Sequence, residues 1–411
     1  MGPNKHEIGR VSKWPLYIWF LFVVLFPFYV FGSGMPQPSD WLLALLILYG
    51  IVNYWKLQVN TFKIIRDDLF YFVLYVIIVN TLWSLFIDQS LEKRFPSYFH
   101  SLFYIFNFFV FRLALILYQR YESNFLKVTA YGVGTSMLIQ SFFAISTGAI
   151  TSRSALYFNN PNQLGYYALL AGSILILISS KVSIHVLFQV ASYIAFLLLC
   201  LISSSKAALA GSLILIGLAL INQGLLNIRQ LAVLMITLLS GYFFISGEMG
   251  GKLLNYSINR FETIGQSRDD SVEGRGYDRI LNDPEYMILG AGEGGYYRFD
   301  TLLDAGEIHS SFGTIIFCYG IVGTFLFLRF LTKIFKGGSL FNFLYAIPVF
   351  VYSITHQGLR STLFWFFLAV IYLLNVQYRF TSKQKGKNKA GSNNYRSRIF
   401  RPAIEGSVKS L

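Results

Sequence analysis

Long apolar runs follow one another along almost the whole chain, separated by short polar or basic stretches, and this pattern leaves few folds open. A helix crosses the hydrocarbon core with about 20 apolar residues. It also satisfies its backbone hydrogen bonds internally, which an open sheet in lipid cannot do. The runs are continuous rather than alternating, so they read as helices and not as barrel strands. Counting them gives about twelve spans, at 16–32, 41–55, 69–87, 98–118, 128–150, 164–180, 182–202, 207–222, 231–246, 309–330, 340–355 and 361–376. The expected fold is an all-α polytopic membrane protein, with residues 1–376 as the multi-span domain. Only 13% of residues are charged and 55% are hydrophobic, which excludes an ordinary soluble domain.

A net charge of +14 would suggest nucleic acid if it lay on one binding face, but the basic residues sort by side of the membrane. Lys56, Lys63 and Arg66, then Arg120 and Lys127, Lys181, Arg229, and Lys333 with Lys336 fall in alternate loops, the bias expected of cytoplasmic loops. Both termini are then cytoplasmic, the partner surface is a lipid bilayer, and no nucleic acid is expected. The first run follows Lys5, Arg10 and Lys13 and continues past Pro27 without a small-residue cleavage site, so it reads as a retained span. Arg112, near the inner end of its span, is expected to snorkel to the cytoplasm. Cys200 and Cys318 lie within spans, and no disulfide is expected. Residues 377–411 form a basic tail poor in apolar residues, expected to be disordered near anionic headgroups.

Residues 247–308 are the one long polar interruption, and the same alternation puts them outside. On that face also fall Arg153 in TSRSALYFNNPNQLG, Lys206 in SSSKAALAG, His309, and His356 with Arg360 in THQGLRSTLFW. Four segments converging on one surface favour a shared site. Arg153 precedes an Asn/Pro turn, with Asn159 and Asn162 as turn formers, and either marks the rim or binds a phosphate. Lys206 follows three serines and either snorkels or completes an oxyanion cradle. Arg275 and Arg279, four residues apart, would share one helix face, joined to carboxylates or to a pyrophosphate. His309 begins a span, where a neutral imidazole can accept a proton; His100, His356 and Arg360 share the face.

The order of these pieces resembles the O-antigen ligase and polymerase superfamily over roughly residues 130–376. The resemblance rests on Arg153 ahead of FNNPNQLGYY, on SSSK, on GRGYDRILNDPEYMILGAG, and on His309-Ser310 followed by Gly320-Ile321-Val322-Gly323. It implies a glycosyltransferase-C type helical fold in the bacterial inner membrane and a glycan donor carried on undecaprenyl pyrophosphate. His309 and Arg275 are then the catalytic residues, and Lys206, which stands where the family has Arg, binds pyrophosphate with Arg153 and Arg279. His356, Arg360 and Asn162 are candidates for contacting substrate. The Arg279-to-Gly290 spacing resembles a loop motif of the polymerases.

The implied activity is an O-antigen polymerase joining lipid-linked repeat units at the outer face of the inner membrane. The alternative is a ligase passing the glycan to lipid A-core, and a more remote one is a polysaccharide transporter or flippase. Inverting transfer is expected without a cofactor, and a chain-length regulator is an expected partner. The first outer loop has only Asp40 and no carboxylate pair, so no metal is expected; adjacent Asp269-Asp270 in the long loop keeps the question open, since such a pair can hold Mg2+ against phosphates.

Overall fold

The computed structural model describes residues 12–399 except 33, 55–61, 89–97, 225–226, 264, 267–270 and 300–305. Each apolar run gives helix: α1 Trp14–Leu25, α2 Pro38–Tyr54, α3 Lys63–Ser84, α4 Phe99–Tyr121, α5 Ser123–Ser146, α6 Pro161–Ser179, α7 Val186–Ser203, α8 Lys206–Ala219 and α9 Ile228–Ser246. The polar interruption contributes α10 Glu248–Glu262 and α11 Asp278–Asn282. The chain then returns through α12 Ser311–Phe335, α13 Leu340–Leu344, α14 Ile347–Thr355 and α15 Thr362–Ile399. No strand occurs among the described residues.

Seven helices are long and apolar enough to cross a membrane: α4 to α7, α9, α12 and Thr362–Ser382 of α15. Four further apolar stretches are shorter, at Trp14–Leu25, Pro38–Asn53, Lys206–Asn222 and Leu340–Thr355. In α3, Lys63, Arg66, Asp67 and Asp68 crowd the first two turns. The backbone of α15 continues helically past the apolar span into the basic tail, and residues 400–411 lie outside the described residues.

Local chemistry places the helix starts. Asn160 caps α6 by accepting from the Gln163 N–H at 2.9 Å, with Pro161 at the first helical position, where its missing N–H costs nothing. Ser310 caps α12 in the same way through Gly313, also at 2.9 Å. Between α7 and α8 the chain reverses within Ser203-Ser204-Ser205, Ser204 taking a left-handed φ of 44°.

Burial orders the bundle. In α6, 89% of the apolar window is buried, and in α15 78%, against 17% in α9, so α6 and α15 are the axis and α9 is an edge. With no hydrophobic gain between helices in lipid, close packing has to hold such an axis. A Cβ on Gly172 would stand 2.5 Å from the Phe196 ring, a measure of how closely α6 meets α7. Trp365 on α15 packs against Phe72, Tyr104, Phe327 and Phe330 from α3, α4 and α12. Arg112 does not snorkel: it is buried in α4, its guanidinium 5.7 Å from the Phe108 ring.

The helix ends form two separate surfaces. Lys13, Lys63, Arg120, Lys127, Lys181, Arg229, Lys333 and Lys336 all flank ends on one of them. The described residues of the 247–308 segment fold over the other. There α12 breaks at Gly320 (φ 59°, ψ −164°), and the loop docks into the break. The Ala291 and Gly292 N–H groups donate to the carbonyls of Phe317 and Cys318, both at 2.9 Å.

Candidate functional site

Tyr352, near the end of α14, joins three segments beneath the loop. Its hydroxyl donates to the Asn162 carbonyl at 2.8 Å and accepts from Ser205 Oγ at 2.9 Å. Arg153 reaches the same corner, donating from Nε to the Ser203 carbonyl at 3.2 Å and from Nη2 to Asn162 Oδ1 at 2.9 Å. Lys206, half-buried, is the first residue of α8, directly after Ser205. The Asn/Pro turn and the triple serine thus present Arg153, Asn162 and Lys206 together.

Arg275 arrives from the loop. Its Nη1 donates to the Thr355 carbonyl at 2.5 Å, and its own carbonyl accepts from the His309 N–H at 3.0 Å. Tyr277 locks this turn down, its hydroxyl 2.6 Å from Ser310 Oγ and 2.5 Å from the Ile354 carbonyl. Arg153 and Arg275 both act electrostatically on the Tyr352 hydroxyl. His309 is exposed. His356 is half-buried, its ring 5.0 Å from Tyr166 and 5.6 Å from Tyr352. Burial, with lesser help from Arg275 and His309, pushes its pKa down to about 4 against the opposing pull of Glu307. His356 is therefore neutral at pH 7.

Arg360 lies between two carboxylates. Nε donates to Glu293 Oε2 at 2.9 Å, Nη2 bonds the same oxygen, and Nη1 stands 2.6 Å from Glu307 Oε2. Glu293 is fully buried, and its Oε1 accepts from Tyr104 and Tyr319, both at 2.5 Å. Asn80 Oδ1 holds its backbone N–H at 2.9 Å, and His100 Nδ1 is 3.9 Å from Oε2. Burial opposes ionisation of Glu293, but Arg360, His100 and the two hydroxyls together hold its carboxyl below the ordinary value. Burial likewise works against the Arg360 cation, and Glu293 with Glu307 more than reverses it. Arg360, a candidate for contacting substrate, is thus committed to two protein carboxylates.

Arg279 stands apart. Helix α11 begins only at Asp278, so Arg275 lies in the preceding turn and the two guanidinium groups do not share a helix face. Arg279 is 1% exposed, with its guanidinium 5.4 Å from the Tyr296 ring and 5.8 Å from that of Phe299. Burial, the leading influence, lowers its pKa despite nearby Tyr296, Cys318, Asp278 and Asp283. Gly290, the far end of the Arg279 spacing, is a docking residue: at φ 92°, a Cβ would lie 2.3 Å from the Cys318 carbonyl oxygen.

The fold therefore gathers Arg153, Asn162, Arg275, His309 and His356, with Lys206 beside them. It assigns Arg360 to the carboxylate pair and Arg279 to the loop interior. Sequence reasoning missed Glu293 and Glu307. The available signal was GAGEGG, in which Gly290, Gly292, Gly294 and Gly295 all adopt positive φ around one glutamate. Among the described residues no three His, Cys, Asp or Glu side chains are grouped to hold a metal, and Asp269-Asp270 lies outside them. A cavity of about 470 Å³ opens at the other end of the bundle, lined by Tyr118, Glu122, Lys181 and Gln377 among others. No protein-family model matches the chain, and no curated protein matches it.

Proposed function

We propose that this is a polytopic glycosyltransferase, an O-antigen polymerase that moves a glycan from undecaprenyl pyrophosphate onto a second lipid-linked repeat unit. The observation that carries the reading is the placement of Arg153 and Arg275 on either approach to Tyr352. Arg275 donates to a backbone carbonyl and, among the described residues, forms no ion pair. Arg360 is by contrast matched by the carboxylates of Glu293 and Glu307. A half-buried guanidinium with carbonyl partners keeps its charge available for a phosphate oxygen, and charge-assisted bonds to phosphate are the strong ones.

In this reading the acceptor hydroxyl attacks the anomeric carbon while negative charge develops on the departing pyrophosphate. Arg275 and Arg153, with Lys206 alongside, stabilise that charge in a partly dehydrated site, the electrostatic contribution that is usually the largest. His309, exposed beside them, orients the pyrophosphate or takes the acceptor proton. The loop-covered surface faces outward and the lysine-rich surface faces the cytoplasm, in keeping with the positive-inside bias.

Deleting the gene tests this. A polymerase defect leaves surface glycan of a single repeat unit on lipid A-core. Long chains accumulating on undecaprenyl pyrophosphate, with none on lipid A-core, would instead make the protein a ligase. Unchanged surface glycan would remove both.

A further inference from the structure

We infer that Glu307 is a positioning residue: its ion pair with Arg360 holds the stretch of backbone that carries His309 and meets Arg275. The assignment rests on the glycosyl-transfer reading above. His309 is exposed, so the placement of its ring depends on the backbone beneath it. That backbone is tied down residue by residue. Glu307 Oε2 lies 2.6 Å from Arg360 Nη1, and the His309 N–H donates to the Arg275 carbonyl at 3.0 Å. Ser310 Oγ lies 2.6 Å from the Tyr277 hydroxyl, and the Ser311 N–H donates to the His356 carbonyl at 3.1 Å. Ile308 is buried among these ties. Across residues 306–308 the Glu307 carboxylate makes the one polar tie, so it alone fixes the chain on the approach to His309.

Arg360 is suited to be the fixed end of that tie. Asn107 Nδ2 donates to its backbone carbonyl at 3.3 Å, and Nε and Nη2 of its guanidinium both bond Glu293 Oε2. Glu293 is in turn held by Asn80, Tyr104 and Tyr319 from α3, α4 and α12. An isolated surface ion pair fixes little, because both side chains move. Here one partner is locked to the helix bundle, and the Glu307 carboxylate inherits its position. The His309 N–H bond to the Arg275 carbonyl passes that position on, while Arg275 Nη1 donates to the Thr355 carbonyl. Glu307 thus acts through His309 and Arg275, and misplacing such groups by about 1 Å can cost about 100-fold in rate. Glu293 differs in consequence: its loss strands a buried cation, whereas loss of Glu307 leaves Arg360 paired with Glu293.

The test uses the full-length protein in lipid nanodiscs, with an undecaprenyl-pyrophosphate-linked oligosaccharide as donor and acceptor, and reads both turnover and amide hydrogen exchange. Glu307→Ala cuts the tie; Glu307→Gln keeps an oxygen that can accept from Arg360. We expect Glu307→Ala to lower kcat about 10- to 100-fold with the donor KM little changed, and Glu307→Gln to recover most of the loss. Exchange across residues 306–311 should be about 10-fold faster in Glu307→Ala, as local opening allows, with the spans and the thermal midpoint unaltered. Full activity or unaltered exchange in Glu307→Ala would overturn the assignment. So would Glu307→Gln as defective as Glu307→Ala, which would make the charge rather than the tie the essential feature. Faster exchange throughout the spans, or a lowered thermal midpoint, would overturn it in favour of a general structural role. Absence of wild-type turnover would overturn the glycosyl-transfer reading and this role with it, and the exchange measurement separates that outcome from failure of the tie itself.

Discussion

Arg275 and Arg360 carry the same guanidinium in opposite circumstances, and the difference makes separable predictions. Arg275→Ala removes a charge that, among the described residues, a backbone carbonyl rather than a carboxylate holds in place, so the protein should remain abundant and folded while transfer falls by about 100-fold or more, as when one transition-state donor is lost. Lys206→Arg should be tolerated, since it keeps the charge at the start of α8. Arg360→Ala should behave differently, leaving Glu293 buried without its cation, a change that costs about 3–5 kcal/mol; thermal unfolding in detergent distinguishes the two variants. His356 adds a pH dependence. Its folded pKa of about 4 lies below the ordinary 6.5, so the unfolded chain binds more protons between those values. The stability from a neutral His356 is complete above 6.5 and is lost as pH falls toward 4. Glu293 adds a further loss as pH falls below the ordinary carboxylate value through its own lowered one. His356→Gln should flatten the decline of the thermal midpoint between pH 6.5 and 4; an unaltered slope would contradict the assignment. Arg153, Arg275 and His309 stood out in the sequence because polar residues on the rim opposite the lysine-rich loops are not demanded by topology, and the structure brings their segments together. Glu293 and Glu307 were not legible, because a carboxylate in a polar loop reads as solvated until its buried partner is known.

At the scale of elements, the apolar runs gave the helices in order, since continuous hydrophobicity and backbone satisfaction in lipid leave little choice. The break in α12 was hidden inside one such run. Gly320 interrupts the helix and frees the Phe317 and Cys318 carbonyls, so a motif that reads as family signature serves here as the socket for Gly290-Ala291-Gly292. Pairwise spacing also misled for Arg275 and Arg279, because helical periodicity was assumed across a turn that ends only at Asp278. The docking makes its own prediction. Gly290→Ala forces a Cβ against a backbone oxygen at φ 92°, a conformation that costs a non-glycine residue about 1–3 kcal/mol before the clash is counted. Limited proteolysis within residues 271–299 should accelerate while the spans stay inserted, and unchanged protection would show that the loop does not depend on this contact.

Across the whole molecule, the two surfaces divide labour: one gathers the lysine-rich helix ends, the other the loop and its arginines. In the proposed orientation, which follows the positive-inside bias, a cysteine at Ser271 should react with an impermeant reagent applied outside the inner membrane; reaction only after that membrane is broken would move the site to the cytoplasm. The α5–α6 connection, the α7–α8 turn, the loop and the α14–α15 connection could be grouped on one face from the alternation of the runs, but which side chains meet there, such as Arg153 with Asn162 and Arg275 with the Thr355 carbonyl, was not legible because only packing decides it. The most direct test of the account is turnover itself. Purified protein in nanodiscs, supplied with an undecaprenyl-pyrophosphate-linked repeat unit and a chelator, should lengthen the glycan, invert the anomeric configuration and release undecaprenyl pyrophosphate, with Arg275→Ala inactive. Absence of any product, or product formed only when Mg2+ is restored, would contradict it.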